Sequence, residues 1–267
     1  MILASAPYPH LILSLGAAAA YAWPAVQARR ISPRAARNWV VLAWLLHAGV
    51  LALGLFGEQA HFGFAPAMSV TAWLVAGVYG VESQIFPQLP TRWTLCALGT
   101  VAVLLAVFFP GNAIPVTASA WLALHLAFGV ACYGLFGIAV VHAWFMTRAE
   151  ARIRHAQDPH SGLPLLTLER LTYRFVGAGF VLLSATLLAG LLFGDTLYGH
   201  GHAWRWNHKT VFSTLAWLTF AILMVGRSAF GWRGRRAVHV LYTGSAFLLL
   251  AYVGSRFVME IVLGRTA

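Results

Sequence analysis

The chain alternates long apolar runs with short polar breaks, and the runs have the length of membrane spans. A helix rising 1.5 Å per residue needs roughly 17 to 25 apolar residues to cross about 30 Å of hydrocarbon. Eight stretches fit that measure, at about 8–26, 39–56, 68–86, 94–109, 118–146, 175–193, 210–230 and 238–263. Glycine and proline occur inside them, as in "LILSLGAAAAYAWP" and "FGVACYGLFG", which membrane helices tolerate where neighbours satisfy the backbone again. The pattern predicts an all-α fold, a single polytopic bundle of about eight transmembrane helices occupying residues 1–267. The longest break, "HAQDPHSGLPLLTLERLTYRF", carries Asp-Pro and Gly-x-Pro turn signals. Its "PLLTLERL" portion is expected as a short amphipathic helix lying on the membrane surface.

Composition agrees with the pattern. With 60% hydrophobic and 9% charged residues, the chain cannot clothe a soluble domain in a hydrated surface. The net charge of +11 would suggest nucleic acid in a soluble protein, but its placement has another cause. Arg29, Arg30, Arg34 and Arg37 fill the first break and Arg92 the third. Arg148, Arg152, Arg154, Arg170 and Arg174 fill the fifth, and Arg227, Arg233, Arg235 and Arg236 the seventh. Only Arg205, Lys209, Arg256 and Arg265 fall on the other side. By the positive-inside rule both termini are expected to be extracytoplasmic, and no nucleic-acid partner is expected. The opening "MILASAPYPH" carries no Lys or Arg, whereas "QARRISPRAAR" follows the first run, the charge order of an N-out anchor rather than a signal peptide. Cys96 and Cys132 sit in different spans and are expected as core packing.

Chemistry in a membrane protein begins with ionisable groups at apolar depth. His47 lies mid-span in "VLAWLLHAGVLAL", and His125 lies in "ASAWLALHLAFG" about 10 Å below the outer helix end. Arg256 and Glu260, four residues apart, can neutralise each other on one helix face. The ordinary role of a lone buried histidine is a neutral ring hydrogen-bonded to a neighbouring helix. Against that stands "GHGHAWRWNHKTVF", which hangs His200, His202 and His208 above the level of His125. Trp204 and Trp206 read either as an interfacial aromatic anchor or as a ligand platform. Zinc prefers three or four regularly spaced protein ligands, and "HGHAWRWNH" is loose for that. Haem wants aromatic faces, one or two axial histidines and cations for its propionates. Trp204 and Trp206 could supply the faces and Arg205 and Lys209 the cations, with a loop histidine opposing a helical one.

The stretches "LERLTYRFVGAGFVLLSATLLAGLLF" and "AWRWNHKTVFSTLAWLTFAILMVGR" resemble the cytochrome c assembly family of haem-handling membrane proteins. The positions that carry the likeness are Glu169, Arg170, Leu171, Tyr173, Gly177, Gly179, Trp204, Trp206, Asn207, Lys209 and Trp217. They are joined by His125 and Tyr133 of "LHLAFGVACYGLF". "HFGFAPAMSVTAWLV" and the C-terminal stretch resemble its shorter eight-helix, YpjD/HemX-like inner-membrane branch, giving a family-like core of about 39–263. The resemblance implies non-covalent b-type haem at the outer surface, with an axial ligand at His125 and a membrane-embedded histidine at His47. Asn207 lies beside the tryptophans, a second ligand could come from His208, His202 or His200, and the resemblance suggests a partner chain from cytochrome c assembly or haem biosynthesis.

Asn207 replaces the family's usual Asp, His208 stands where the synthetase branch has Pro, and "YVGSRFVME" lacks a second outer histidine. These departures point to a haem-handling accessory of cytochrome c biogenesis rather than a complete thioether-forming enzyme. A HemX-like regulator of haem biosynthesis is the alternative. A small-solute or metal-ion permease using His47, Glu82 and His142 as relay groups is a further one. The charge distribution has a direct check. A cysteine placed at Ala203 should react with a membrane-impermeant thiol reagent in intact cells, and one at Gly234 should not; the reverse pattern would invert the whole topology.

Overall fold

The computed structural model describes residues 8–27, 30–56, 61–85, 93–113, 120–154, 165–194 and 207–258. His200, His202, Trp204, Arg205, Trp206 and Glu260, and the side chain of Arg256, lie outside the described residues. The described chain divides into two compact units, one within Met1–Val116 and one within Thr117–Val258. Among the described residues six helices, within Arg34–Leu55, Phe64–Glu82, Leu124–Arg154, Leu165–Leu192, His208–Phe230 and Gly234–Gly254, are long and apolar enough to cross a membrane, and the molecule is a polytopic helical membrane protein.

The first unit comprises α1 (Tyr8–Val26), α2 (Pro33–Phe56), β1 (His61–Phe62), α3 (Phe64–Ile85), α4 (Trp93–Phe108) and β2 (Asn112–Ala113). Helix α2 starts before its apolar run because "SPRAAR" is a helix-starting sequence. Ser32 Oγ accepts the Ala35 N–H at 3.2 Å and proline takes the first helical position. Helix α1 packs on both α2 and α4 through Ala17, Ala18, Ala20, Tyr21, Ala43, Val50 and Val103. Small residues are what such contacts need, since lipid offers helices no hydrophobic reward for meeting and close packing must supply the attraction. Between α2 and α3, the indoles of Trp44 and Trp73 stack at 4.7 Å and 10°. Each indole N–H donates to the backbone carbonyl of the other tryptophan at 3.1 Å. A two-residue antiparallel pairing of His61 with Ala113 and Phe62 with Asn112 was not expected. It turns on Gly111, whose φ of 83° only glycine adopts freely.

The second unit comprises α5 (Ala120–Arg154), α6 (Leu165–Leu192), α7 (His208–Phe230) and α8 (Gly234–Leu249). The last continues through a π-helical turn, Leu250–Gly254, into Ser255–Phe257. The expected surface helix at "PLLTLERL" does not exist separately: it forms the first turns of α6. No breaker divides it from the apolar run, and its inward side chains have their own packing partners. The Arg227 guanidinium pairs with the Glu169 carboxylate and lies 3.8 Å over the Tyr173 ring. Arg233 Nε is 3.4 Å from the same carboxylate, and the Tyr173 hydroxyl donates to the Trp232 carbonyl at 3.4 Å. Gly231, at φ 62°, ends α7 so that the chain turns back into this clasp.

At the middle of the unit, Phe136 of α5 and Phe220 of α7 stack at 3.8 Å and 7°, both essentially without exposure. Gly179 of α6 backs the Phe136 ring and Gly244 of α8 backs the Phe220 ring, so all four helices meet at one aromatic pair. A β-carbon at Gly244 would lie 2.8 Å from Phe220, whereas one at Gly177 would lie 3.8 Å from the flexible end of Met224. Gly244→Ala should therefore cost about 1–3 kcal/mol by overpacking and lower the thermal midpoint in detergent. Gly177→Ala should be neutral by the same measurement.

Candidate functional site

The site residues within the described chain gather at the end of the second unit where α5 and α7 begin and α6 finishes. His125, on the second turn of α5, is half-buried. Its Cε1 lies 3.8 Å from where a β-carbon at Gly190 of α6 would stand, so α6 approaches the imidazole closely at a glycine. One turn nearer the end, Trp121 of α5 stacks on Phe193, the residue after α6, at 6.5 Å and 15°. Both rings are mostly exposed, at 64% and 55%.

Helix α7 is brought to the same level by two independent contacts. Trp217 stacks on Phe180 at 5.6 Å, and its indole N–H donates to Ser184 Oγ at 2.8 Å. The stretch from Trp217 back to His208 equals that from Ser184 on to Phe193, so His208 starts α7 beside Phe193, about 4.5 Å along the axis from the level of Gly190 and His125. The Phe136–Phe220 stack gives a second reading, since the distance from Phe136 back to His125 equals that from Phe220 back to Lys209. Both place His208 and Lys209 within about one turn of His125.

Asn207 holds this start in place. Its Oδ1 accepts the Thr210 N–H at 3.0 Å and the Thr210 hydroxyl at 3.2 Å, the bond of an N-cap. The replacement of the family's Asp by Asn keeps that function, because both carry the accepting oxygen. No acidic residue stands in the first turn of α7, so the positive helix end and Lys209 leave the site favourable to carboxylates. Among the described residues no group of three or more His, Cys, Asp or Glu could hold a metal ion. That count does not bear on haem, whose iron asks for only one or two axial side chains. An imidazole with a glycine beside it, aromatic rings at the rim and a cation one turn away suit such a macrocycle.

His47 belongs to the first unit. It is fully buried, its Nε2 is 2.8 Å from Ser69 Oγ and its Nδ1 is 3.4 Å from the Tyr21 hydroxyl. Glu82 is buried on α3, about 20 Å along that helix from Ser69, and His142 is buried in the second unit against Phe175 at 5.4 Å. Cys96 and Cys132 are buried thiols. Gly190, Trp121 and Phe193 escaped the sequence reading. Trp121 stands four residues before His125 on the same helix face, a signal that could have found it, but the other two emerge only from the α5–α6 register.

The cap gives a graded check. Asn207→Asp should leave thermal stability unchanged, and Asn207→Leu should lower it by about 1 kcal/mol, seen as a shift of the thermal midpoint.

With this geometry in place, comparison with known proteins is informative. The sequence pattern of the family described as Cytochrome C assembly protein matches residues 40–263. The chain is 28% identical over 169 residues to the inner membrane protein YpjD of Escherichia coli, covering 62% of this chain and 63% of YpjD. It is 31% identical over 94 residues to the cytochrome c biogenesis protein CcsA of Gloeobacter violaceus, covering 35% of this chain and 27% of that protein. The corresponding CcsA of Nostoc punctiforme is 33% identical over 88 residues, 33% of this chain and 24% of that one. The chain thus spans less than two thirds of YpjD and about a quarter of the CcsA proteins. The family match runs across both units and takes in α2 through α8, and on that extent the chain belongs to the cytochrome c assembly protein family.

Proposed function

We propose that this protein is a haem-handling component of cytochrome c biogenesis in the bacterial inner membrane, an accessory rather than a complete synthetase. In this reading the chain is one integral membrane domain with both termini outside. The observation that carries it is the register of α5, α6 and α7, which sets His208 and Lys209 within about one turn of the level of His125. Family membership and the CcsA relatives support the pathway.

Bound non-covalently, b-type haem supplies an iron that takes imidazole ligands and a macrocycle bearing two carboxylates. His125 and His208 would hold the iron. Lys209, with Arg205 of the adjoining sequence, would balance the carboxylates, and Trp204 and Trp206, with Trp121 and Phe193, would supply aromatic surface. Asn207 acts through the backbone, fixing where α7 begins and hence where His208 stands. The partner is a further cytochrome c assembly or haem-biosynthesis chain. The permease alternative gains no support, because about 20 Å of α3 separates the His47–Ser69 contact from Glu82.

Protein purified from haem-replete membranes should show a Soret band and a b-type pyridine haemochrome. His125→Ala should remove or shift the band while the protein stays in the membrane, and added imidazole should restore it by filling the vacated coordination position. His142→Ala should be spectrally silent. A colourless protein that also refuses added hemin would end the haem reading.

A further inference from the structure

His47 and His125 are the two span histidines that entered as ligand candidates, and the structure treats them oppositely. His125 is half-buried on the second turn of α5, with Gly190 of α6 beside its ring. His47 has no exposed surface. Ser69 Oγ of α3 stands 2.8 Å from its Nε2. The Tyr21 hydroxyl of α1 stands 3.4 Å from its Nδ1, and the phenol ring meets the imidazole edge-on at 5.8 Å and 90°. Each hydroxyl can donate or accept, so either neutral tautomer of the imidazole engages both ring nitrogens. One turn to either side on α2 lie Ala43 and Val50, which with Ala17, Ala18 and Ala20 form a closely packed cluster of small residues. Tyr21 is held from its other side as well, since a β-carbon at Gly99 of α4 would lie 3.0 Å from its ring. Iron ligation at His47 would demand a nitrogen lone pair now engaged by a hydroxyl, and room for a macrocycle where alanines of α1 and α2 touch.

We infer that His47 is a structural pin tying α2 to α1 through Tyr21 and to α3 through Ser69, and that haem binding is confined to the second unit, at one haem per polypeptide. The stoichiometric part rests on the function proposed above; the pin does not. In lipid a buried hydrogen bond between helices is an effective tie, since no water competes for the groups.

The test uses the full-length protein in detergent, saturated with hemin, with two readouts: haem per chain by pyridine haemochrome, and the thermal midpoint. Wild type should bind one haem. Tyr21→Phe and Ser69→Ala, which leave the imidazole in place, should each lower the midpoint by about 2–4 °C without moving the Soret band. His47→Gln should lower the midpoint further and still bind one haem with an unshifted band. Two haems in wild type, or a lost or shifted band in His47→Gln, would overturn the assignment. Unchanged midpoints in Tyr21→Phe and Ser69→Ala would overturn the pin, and these two variants decide the matter if His47→Gln does not fold. Failure of wild type to bind any haem would refute the functional proposal and the stoichiometry together, leaving the pin to stand or fall on the midpoints.

Discussion

Four helices of the second unit converge on two phenyl rings. The Phe136–Phe220 stack is closed on one side by Gly179 and on the other by Gly244, and the rest of the unit depends on that fit. In water such a cluster would be held mainly by expelling solvent, but lipid tails are as apolar as phenylalanine. What remains is shape and dispersion, which reward only close contact. A ring pair backed by two glycines provides that contact and tolerates little sliding, so it sets the relative heights of α5, α6, α7 and α8 at once. The heights of His125, His208 and Lys209 along their helices are a consequence of this packing.

A second fixed point keeps α6 and α7 from rocking about the first. Glu169 takes Arg227 and Arg233, while Tyr173 takes the face of Arg227 and the carbonyl of Trp232. The charged groups of this clasp sit at the helix ends, where a partly buried ion pair keeps its attraction at lower desolvation cost than at mid-membrane. The first unit solves the same problem with neutral polar ties. The crossed Trp44–Trp73 bonds and the Tyr21–His47–Ser69 chain lie within spans, where a charge would be costly and an N–H or O–H with a partner is not.

The existence and type of the elements were legible because membrane length is a coarse requirement that composition alone reveals. Boundaries were not. Helix α5 runs on to Arg154 and α6 begins at Leu165, since a helix leaving the apolar layer has no reason to stop until a breaker or a lost partner ends it. Equally hidden were the π-helical turn at Leu250–Gly254 and the pairing around Gly111, both set by neighbours distant in sequence. Depth and the family resemblance singled out His125. Its companions Gly190 and Phe193 could not be found that way, because a glycine's meaning depends on what faces it across the helix pair. His47 shows the converse: depth marked it as functional, and only its two hydroxyl partners reveal a structural reason for it to be there.

Much of the family likeness turns out to mark the frame. Glu169 and Tyr173 build the clasp, Gly179 accommodates the central ring, and Trp217 sets the α6–α7 register through Ser184. Residues that fix helix heights must stay together whatever the bundle then does with its open end, because a shift of one turn would carry His208 about 5 Å away from the level of His125. The same frame leaves the side chains at the start of α7 and on the second turn of α5 free to vary. Asn207 illustrates how narrow that variation is. As an N-cap it preserves the backbone geometry an aspartate would give while removing a negative charge, and beside Lys209 that removal leaves the helix end more attractive to a carboxylate-bearing ligand without moving a single helix.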